Sequence, residues 1–163
     1  MRTRRCASPW RLNARRDLAA AVRVRAVLDV NVFISALLAP TSAPARLFMR
    51  WLAGDFELIV SERLFSELAR ALAYPKVRPR VSREEARALI DLLRATATIS
   101  LDAKKPARIS RDHADDYLLS LAVSSSSVLV SGDRDLLEMA SDFPIYSPAS
   151  FLAKLVGDSA TQR

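Results

Sequence analysis

Apolar positions along this chain alternate between short continuous runs and stretches with helical spacing. Val24 to Val30 is β-branched and closes near an acid, Asp29, which predicts a short buried strand. Val32 to Leu38 is apolar with helical character, and Pro40 to Pro44 breaks it. Leu47, Phe48, Trp51 and Leu52 then recur at helical spacing over Ala45 to Ala53, with Gly54 as the stop. Phe56 to Val60 predicts a second buried strand. Ser61 caps a helix carrying Leu64, Phe65, Leu68 and Leu72, which ends at Pro75. Ser82 and Glu85 form a capping box opening a helix to about Ala95. Thr96 to Leu101 predicts a third strand, followed by a polar connection over Asp102 to Asp112. Ala114 to Ser124 predicts a helix, Val128 to Val130 a strand, Asp133 to Ala140 a helix, Pro144 to Tyr146 an edge strand, and Pro148 to Leu155 a last helix. Strands alternating with helices imply an α/β fold: a mainly parallel sheet of about five strands between two helical layers.

Composition narrows this to one domain. The chain has 163 residues, half of them hydrophobic, enough for a single core, and no repeat or low-complexity run. The net charge of +7 is not spread evenly. Residues 1–25 hold eight arginines against Asp17 alone, and removing these from the chain's 25 basic and 18 acidic residues leaves 17 of each. We therefore divide the chain into an Arg-rich arm (1–22), a folded domain (23–157) and a polar tail (158–163). Such an arm can bind phosphate by counterion release. The first strand begins only near Arg23, which favours a leader, an organelle transit peptide or an unused extension instead. The single cysteine, Cys6, permits no internal disulfide and suits a reducing compartment. No segment approaches the roughly 20 apolar residues of a membrane span, so the expectation is a cytoplasmic protein.

Ligands of parallel sheets bind at the carboxyl ends of the strands, and this sequence places acids there. Asp29 ends the first strand, with Asn31 two residues on. Asp133 follows the strand Val128 to Val130, with Asp135 two residues on. Asp115 and Asp116 open the preceding helix, and Glu67 lies in the helix after the second strand. Grouped like charges raise one another's pKa or recruit a cation. Oxygen ligands without His or Cys select hard ions, Mg²⁺ or Mn²⁺. A metal so held can activate water and stabilise a phosphate transition state. Each acid also has a plainer role. Asp115 and Asp116 complement a helix N-terminus, worth a few tenths to about 1 kcal/mol; Asp133 suits an N-cap; Glu67 suits a solvated helix face. Asp29 is hardest to explain that way, because a charge between a buried strand and an apolar helix is costly without a partner.

Four segments together resemble the PIN-domain family, and in particular bacterial toxin components of toxin–antitoxin pairs. Val27 to Ser35 resembles the opening Asp-Thr-Asn motif, and Ser61 to Leu68 the strand-to-helix segment that carries the next acid. Arg111 to Ala122 resembles the helix bearing the third acid, and Val128 to Leu137 the closing Thr-Gly-Asp-x-Asp motif. The resemblance runs from about Val24 to Leu155. It implies a three-layer α/β/α fold and a Mg²⁺- or Mn²⁺-dependent ribonuclease with RNA as substrate. It also implies an antitoxin partner and a homo-oligomer, dimer or larger. By this resemblance Asp29, Glu67, Asp116 and Asp133 hold metal, Asp115 and Asp135 assist, and Asn31 and Ser131 orient ligands or water. Val30 departs from the usual Thr and Ser131 from Thr, while His113 and Ala114 stand where Pro and Asp are common.

A haloacid-dehalogenase phosphatase would need Asp where Asn31 stands and a strand-end Lys where Lys104 and Lys105 lie in a connection. A receiver domain would need an acidic pair after its first strand. Neither pattern is present. The alternative that stays open is a non-catalytic module binding RNA or protein.

Overall fold

The computed structural model describes residues 23–103 and 114–161. The arm with Cys6, and the connection carrying Lys104, Lys105 and His113, lie outside the described residues. The elements are β1 (Arg25–Leu28), α1 (Val30–Leu38), α2 (Ala43–Leu52), β2 (Glu57–Val60), α3 (Glu62–Leu72), α4 (Arg83–Thr96), β3 (Thr98–Ile99), α5 (Asp116–Ser124), β4 (Val128–Val130), α6 (Arg134–Leu137), β5 (Ile145–Tyr146) and α7 (Pro148–Thr161). All four strand pairings are parallel, and the sheet order is β3-β2-β1-β4-β5.

β1 sits at the centre, with Val27 opposite Ile59 of β2 on one side and Leu129 of β4 on the other. Ala26, Val27 and Leu28 are fully buried because helices cover both faces. From β1 the chain steps outward to β2 and β3, crosses back to β4, and ends at β5. Right-handed crossovers therefore set α1 to α4 on one face and α5 and α6 on the other. α5 packs on β1 and β4, and α7 returns to pack on α2. The reversal of direction puts the sheet's switch point between the carboxyl ends of β1 and β4, the place where an open α/β sheet binds its ligands.

Local chemistry explains most of the boundaries. Ser42, Ser61 and Ser82 each cap a helix through their hydroxyls, and both bonds of the Ser82–Glu85 box form. α2 ends in a Schellman turn: Gly54, at φ +85°, donates to Trp51 and Asp55 donates to Arg50. Phe33, Phe56 and Phe151 are fully buried, and the last two meet edge to face with centroids 5.3 Å apart. Trp51 is buried in the same core, Phe48 packs against it, and Leu52 is exposed.

Several boundaries differ from the sequence pattern. β1 stops at Leu28 because Asp29 caps α1, so capping overrides the strand preference of Val30 and Val32. Pro44 lies in the first turn of α2, where its missing N–H costs nothing. The third strand shrinks to Thr98–Ile99, since α4 runs on through Thr96 and an edge strand has one neighbour only. The helix expected over Asp133 to Ala140 is confined to Arg134–Leu137, and α7 continues to Thr161 through the segment set apart as a tail. No helix among the described residues is long and apolar enough to cross a membrane.

Candidate functional site

The switch point between β1 and β4 is built around a serine. Ser131, fully buried just past β4, donates its hydroxyl to Asp29 Oδ2 at 2.7 Å and accepts the Asp133 backbone N–H at 3.0 Å. One side chain thus ties the ends of the two neighbouring strands together. Asp29 Oδ1 takes the Asn31 N–H at 3.3 Å, and Asp133 Oδ1 takes the Asp135 N–H at 2.8 Å. Asp29 and Asp133 are therefore both N-caps, of α1 and α6. The plain role expected of Asp133 is real, and Asp29 shares it. Capping uses only part of a carboxylate's acceptor capacity, about four lone-pair sites, so further ligands can still be bound. Asn31 is exposed in the first turn of α1.

Burial is costly for Asp29, which is only 6% exposed. Loss of solvent raises its pKa above the ordinary carboxylate range, the Ser131 and Asn31 bonds lower it in part, and the charge of Asp133 adds to the rise. A buried carboxylate next to a second carboxylate is a place where a cation would relieve both.

Tyr117 shows which other acids face this point. Its hydroxyl is pushed up first by burial, then by the charges of Asp29, Glu67 and Asp115, with Arg63 opposing them. The fields of acids from β1, α3 and the start of α5 thus meet at one phenol. Asp116 is buried at 3% exposure in the first turn of α5, with Asp115 at its N-cap. Glu67 turns to Arg70 one turn on, with Oε1 3.2 Å from Nη1.

The side chains do not, as they stand, form the single shared spot that the strand-end pattern implies. Among the described residues no three His, Cys, Asp or Glu side chains are grouped closely enough to hold one ion. Asp29 and Asp133 are joined through Ser131, while Glu67 is held aside by Arg70.

Four residues of the rim escape a reading of acids alone. Tyr117 looks like core by its spacing, and it is core as well. Arg63 lies over the Tyr117 ring, 4.5 Å from its centroid. Asp102, beyond β3, accepts the Arg63 backbone N–H at 2.9 Å and so clamps the start of α3. Gly132 lies between Ser131 and Asp133, and a Cβ there would meet nothing within 4 Å. The fold has no steric need for glycine at that position. A glycine beside the acids leaves space for a ligand to approach the backbone. The signal available in the sequence was the Ser-Gly-Asp order itself.

Comparison with known proteins agrees with this fold. The PIN domain profile matches residues 25–135, from β1 through the acids after β4. An uncharacterized protein of Methanocaldococcus jannaschii is 24% identical over 120 residues, covering 72% of this chain and 76% of its own. Among solved structures, PAE2754 from Pyrobaculum aerophilum superposes with a TM-score of 0.59 at 22% identity, over 82% of this chain and 90% of that one. VapBC2 from Rickettsia felis, solved bound to a DNA fragment from their promoter, superposes with a TM-score of 0.56 at 13% identity, over 76% and 98%. At these identities the two structures speak for the fold, and the profile match for the family. The chain belongs to the PIN domain family.

Proposed function

We propose that this protein is a metal-dependent endoribonuclease that hydrolyses RNA phosphodiesters, as the toxin of a cytoplasmic toxin–antitoxin pair. PIN domains are generally nucleases, and the observation that carries the reading is the Ser131 bridge between Asp29 and Asp133 at the switch point. In this reading Asp29, Glu67, Asp116 and Asp133 hold Mg²⁺ or Mn²⁺, and Asp115 and Asp135 assist. The donors fit such an ion: all are oxygens, Asp29 is buried with its pKa raised, and Asp133 lies beside it. The exposed Glu67–Arg70 pair is weak, so Glu67 is readily released to a cation.

The bound ion would supply a Lewis acid that offsets phosphate charge and makes water a better nucleophile. The chain's own part is positional. Ser131 fixes the Asp29 carboxylate against β4, and Asn31 and Ser131 orient ligands or water near the scissile phosphate. Tyr117 walls the site with a ring that keeps its proton at working pH. Gly132 leaves room for the sugar–phosphate backbone.

Partnership with an antitoxin, and self-association into a dimer or larger homo-oligomer, belong to the same reading. The VapBC2 likeness supports it, as does an apolar groove between α2 and α7 flanked by exposed Met49 and Val156.

The test is cleavage of labelled RNA by purified protein with Mg²⁺ or Mn²⁺. The reading expects cutting that stops with a chelator and with Asp29→Asn. A second reading, a binding module without turnover, draws on the absence of a three-acid group among the described residues. RNA binding without cutting under either ion would favour it.

A further inference from the structure

A rim of carboxylates repels the polyanion it is proposed to cut, and a metal offsets that repulsion only at the phosphate it touches. Neighbouring phosphates need a cation of their own. Four of the described arginines are committed to carboxylates. Arg25 pairs with Glu57, Arg50 with Asp55, Arg70 with Glu67 and Arg94 with Glu62. Arg63 differs. Among the described residues no carboxylate forms an ion pair with its guanidinium, which instead lies on the face of Tyr117, 4.5 Å from the ring centroid.

Both ends of Arg63 are fixed. Its backbone N–H is bound to Asp102 at 2.9 Å, within the first turn of a helix that Ser61 caps. Its head rests on a ring that is itself only 6% exposed. Among the described residues no acceptor binds its guanidinium N–H groups, and such a fork suits bidentate recognition of phosphate. The side chain is exposed, and it flanks the phenol on which the Asp29 and Glu67 fields converge. An arginine seated over a buried ring is pre-organised, so less side-chain freedom is lost on binding.

We infer that Arg63, seated on Tyr117, grips a backbone phosphate of the RNA strand on the α3 side of the acidic rim. The inference rests on the proposed nuclease reading for the identity of the ligand. It adds a phosphate-positioning residue that the acids do not specify, and it gives the strand a direction, passing from the acidic rim towards α3.

The experiment uses the full chain carrying Asp29→Asn to prevent cutting, and a fluorescently labelled single-stranded RNA of mixed sequence. Affinity is measured by anisotropy across salt concentrations. One phosphate contact on a single strand contributes a slope of about 0.7 in log affinity against log salt. Arg63→Ala and Arg63→Gln should each lower the slope by about that amount, while Arg63→Lys should keep the slope and bind more weakly. Arg87→Ala removes an equal charge beside Ala69 and Ala73, at the other end of α3, and should leave the slope unchanged. The arm contributes equally to every variant. Melting temperatures identify any variant that fails to fold, and Arg63→Gln keeps the comparison open if Arg63→Ala does.

An unchanged slope in Arg63→Gln would overturn the inference, and so would an Asp29→Asn protein that binds no RNA. Cleavage with wild-type Asp29 separates the two claims. Cutting that is indifferent to Arg63 defeats this inference and leaves the nuclease reading standing. Arg63-dependent binding without cutting does the reverse.

Discussion

The two ends of the sheet treat charge in opposite ways. At the amino ends, Arg25 pairs with Glu57 at 3.2 Å and donates to the Ser125 carbonyl, Thr98 donates to Glu57 at 2.7 Å, and Arg50 pairs with Asp55 at 2.9 Å. Positive and negative groups alternate there and neutralise one another. At the carboxyl ends, Asp29 and Asp133 follow β1 and β4 while Asp116 opens α5, and Asp29 is buried against its preferred charge state. Paired charges hold strand ends in place at little cost. The like charges of Asp29 and Asp133, brought together by a serine hydroxyl and backbone N–H groups, persist at a cost to stability. Among the described residues that cost falls at the carboxyl end of the sheet.

The difference can be tested by breaking each end in turn. Asp29→Asn should have the largest effect on cleavage, a loss of more than about 100-fold, since even outer-shell partners of a metal are worth about 10–100-fold. The same variant should melt higher than the parent in chelator at neutral pH. The sign follows from the raised pKa of Asp29. The stabilisation is fully present below the unfolded value of about 3.9 and is lost as pH rises through the folded value. At neutral pH the ionised group therefore destabilises the fold, and the neutral amide relieves it. The melting-temperature gap between variant and parent should narrow as pH falls, and a gap independent of pH would count against this account.

Ser131→Ala should come next. It strands a buried carboxylate oxygen and the Asp133 N–H, costing about 1–3 kcal/mol in denaturant unfolding. Cleavage should fall by about 10–100-fold, because Asp29 loses its orientation. Gly132→Ala should separate the two properties: stability within about 0.5 kcal/mol of the parent, with reduced cleavage, since the added methyl meets no protein atom but occupies the approach to the acids. The smallest effect belongs to the other end. Arg25→Ala should cost no more than about 1 kcal/mol of stability and leave cleavage unchanged. A large loss of activity from Arg25→Ala, or none from Gly132→Ala, would erase the distinction between the ends.

Legibility followed the strength of the local signal. β4 and the Ser82 box were readable to the residue, because a β-branched run and a reciprocal cap are each decided by neighbours in the chain. β3 was not, since Thr96 to Leu101 has strand-like composition throughout and only pairing with Ile59 and Val60 selects Thr98 and Ile99. The positions of Asp29 and Asp133 just past β1 and β4 were legible. Their partners were not: the Ser131 bridge joins residues 102 apart, and the turn of Glu67 towards Arg70 depends on a rotamer. Tyr117 and Arg63 were hidden for a different reason. An aromatic at helical spacing and an exposed helix arginine are commonplace, and their contact joins two helices far apart in sequence.

The proposed function rests on a divalent cation held by Asp29 and Asp133 at the carboxyl end of the sheet. Calorimetric titration of Mn²⁺ into the metal-stripped protein tests it most directly, with Asp29→Asn and Asp133→Asn measured alongside. The account predicts saturable binding by the parent that weakens by at least about tenfold in each variant. Equal Mn²⁺ affinity in the parent and both variants would contradict it.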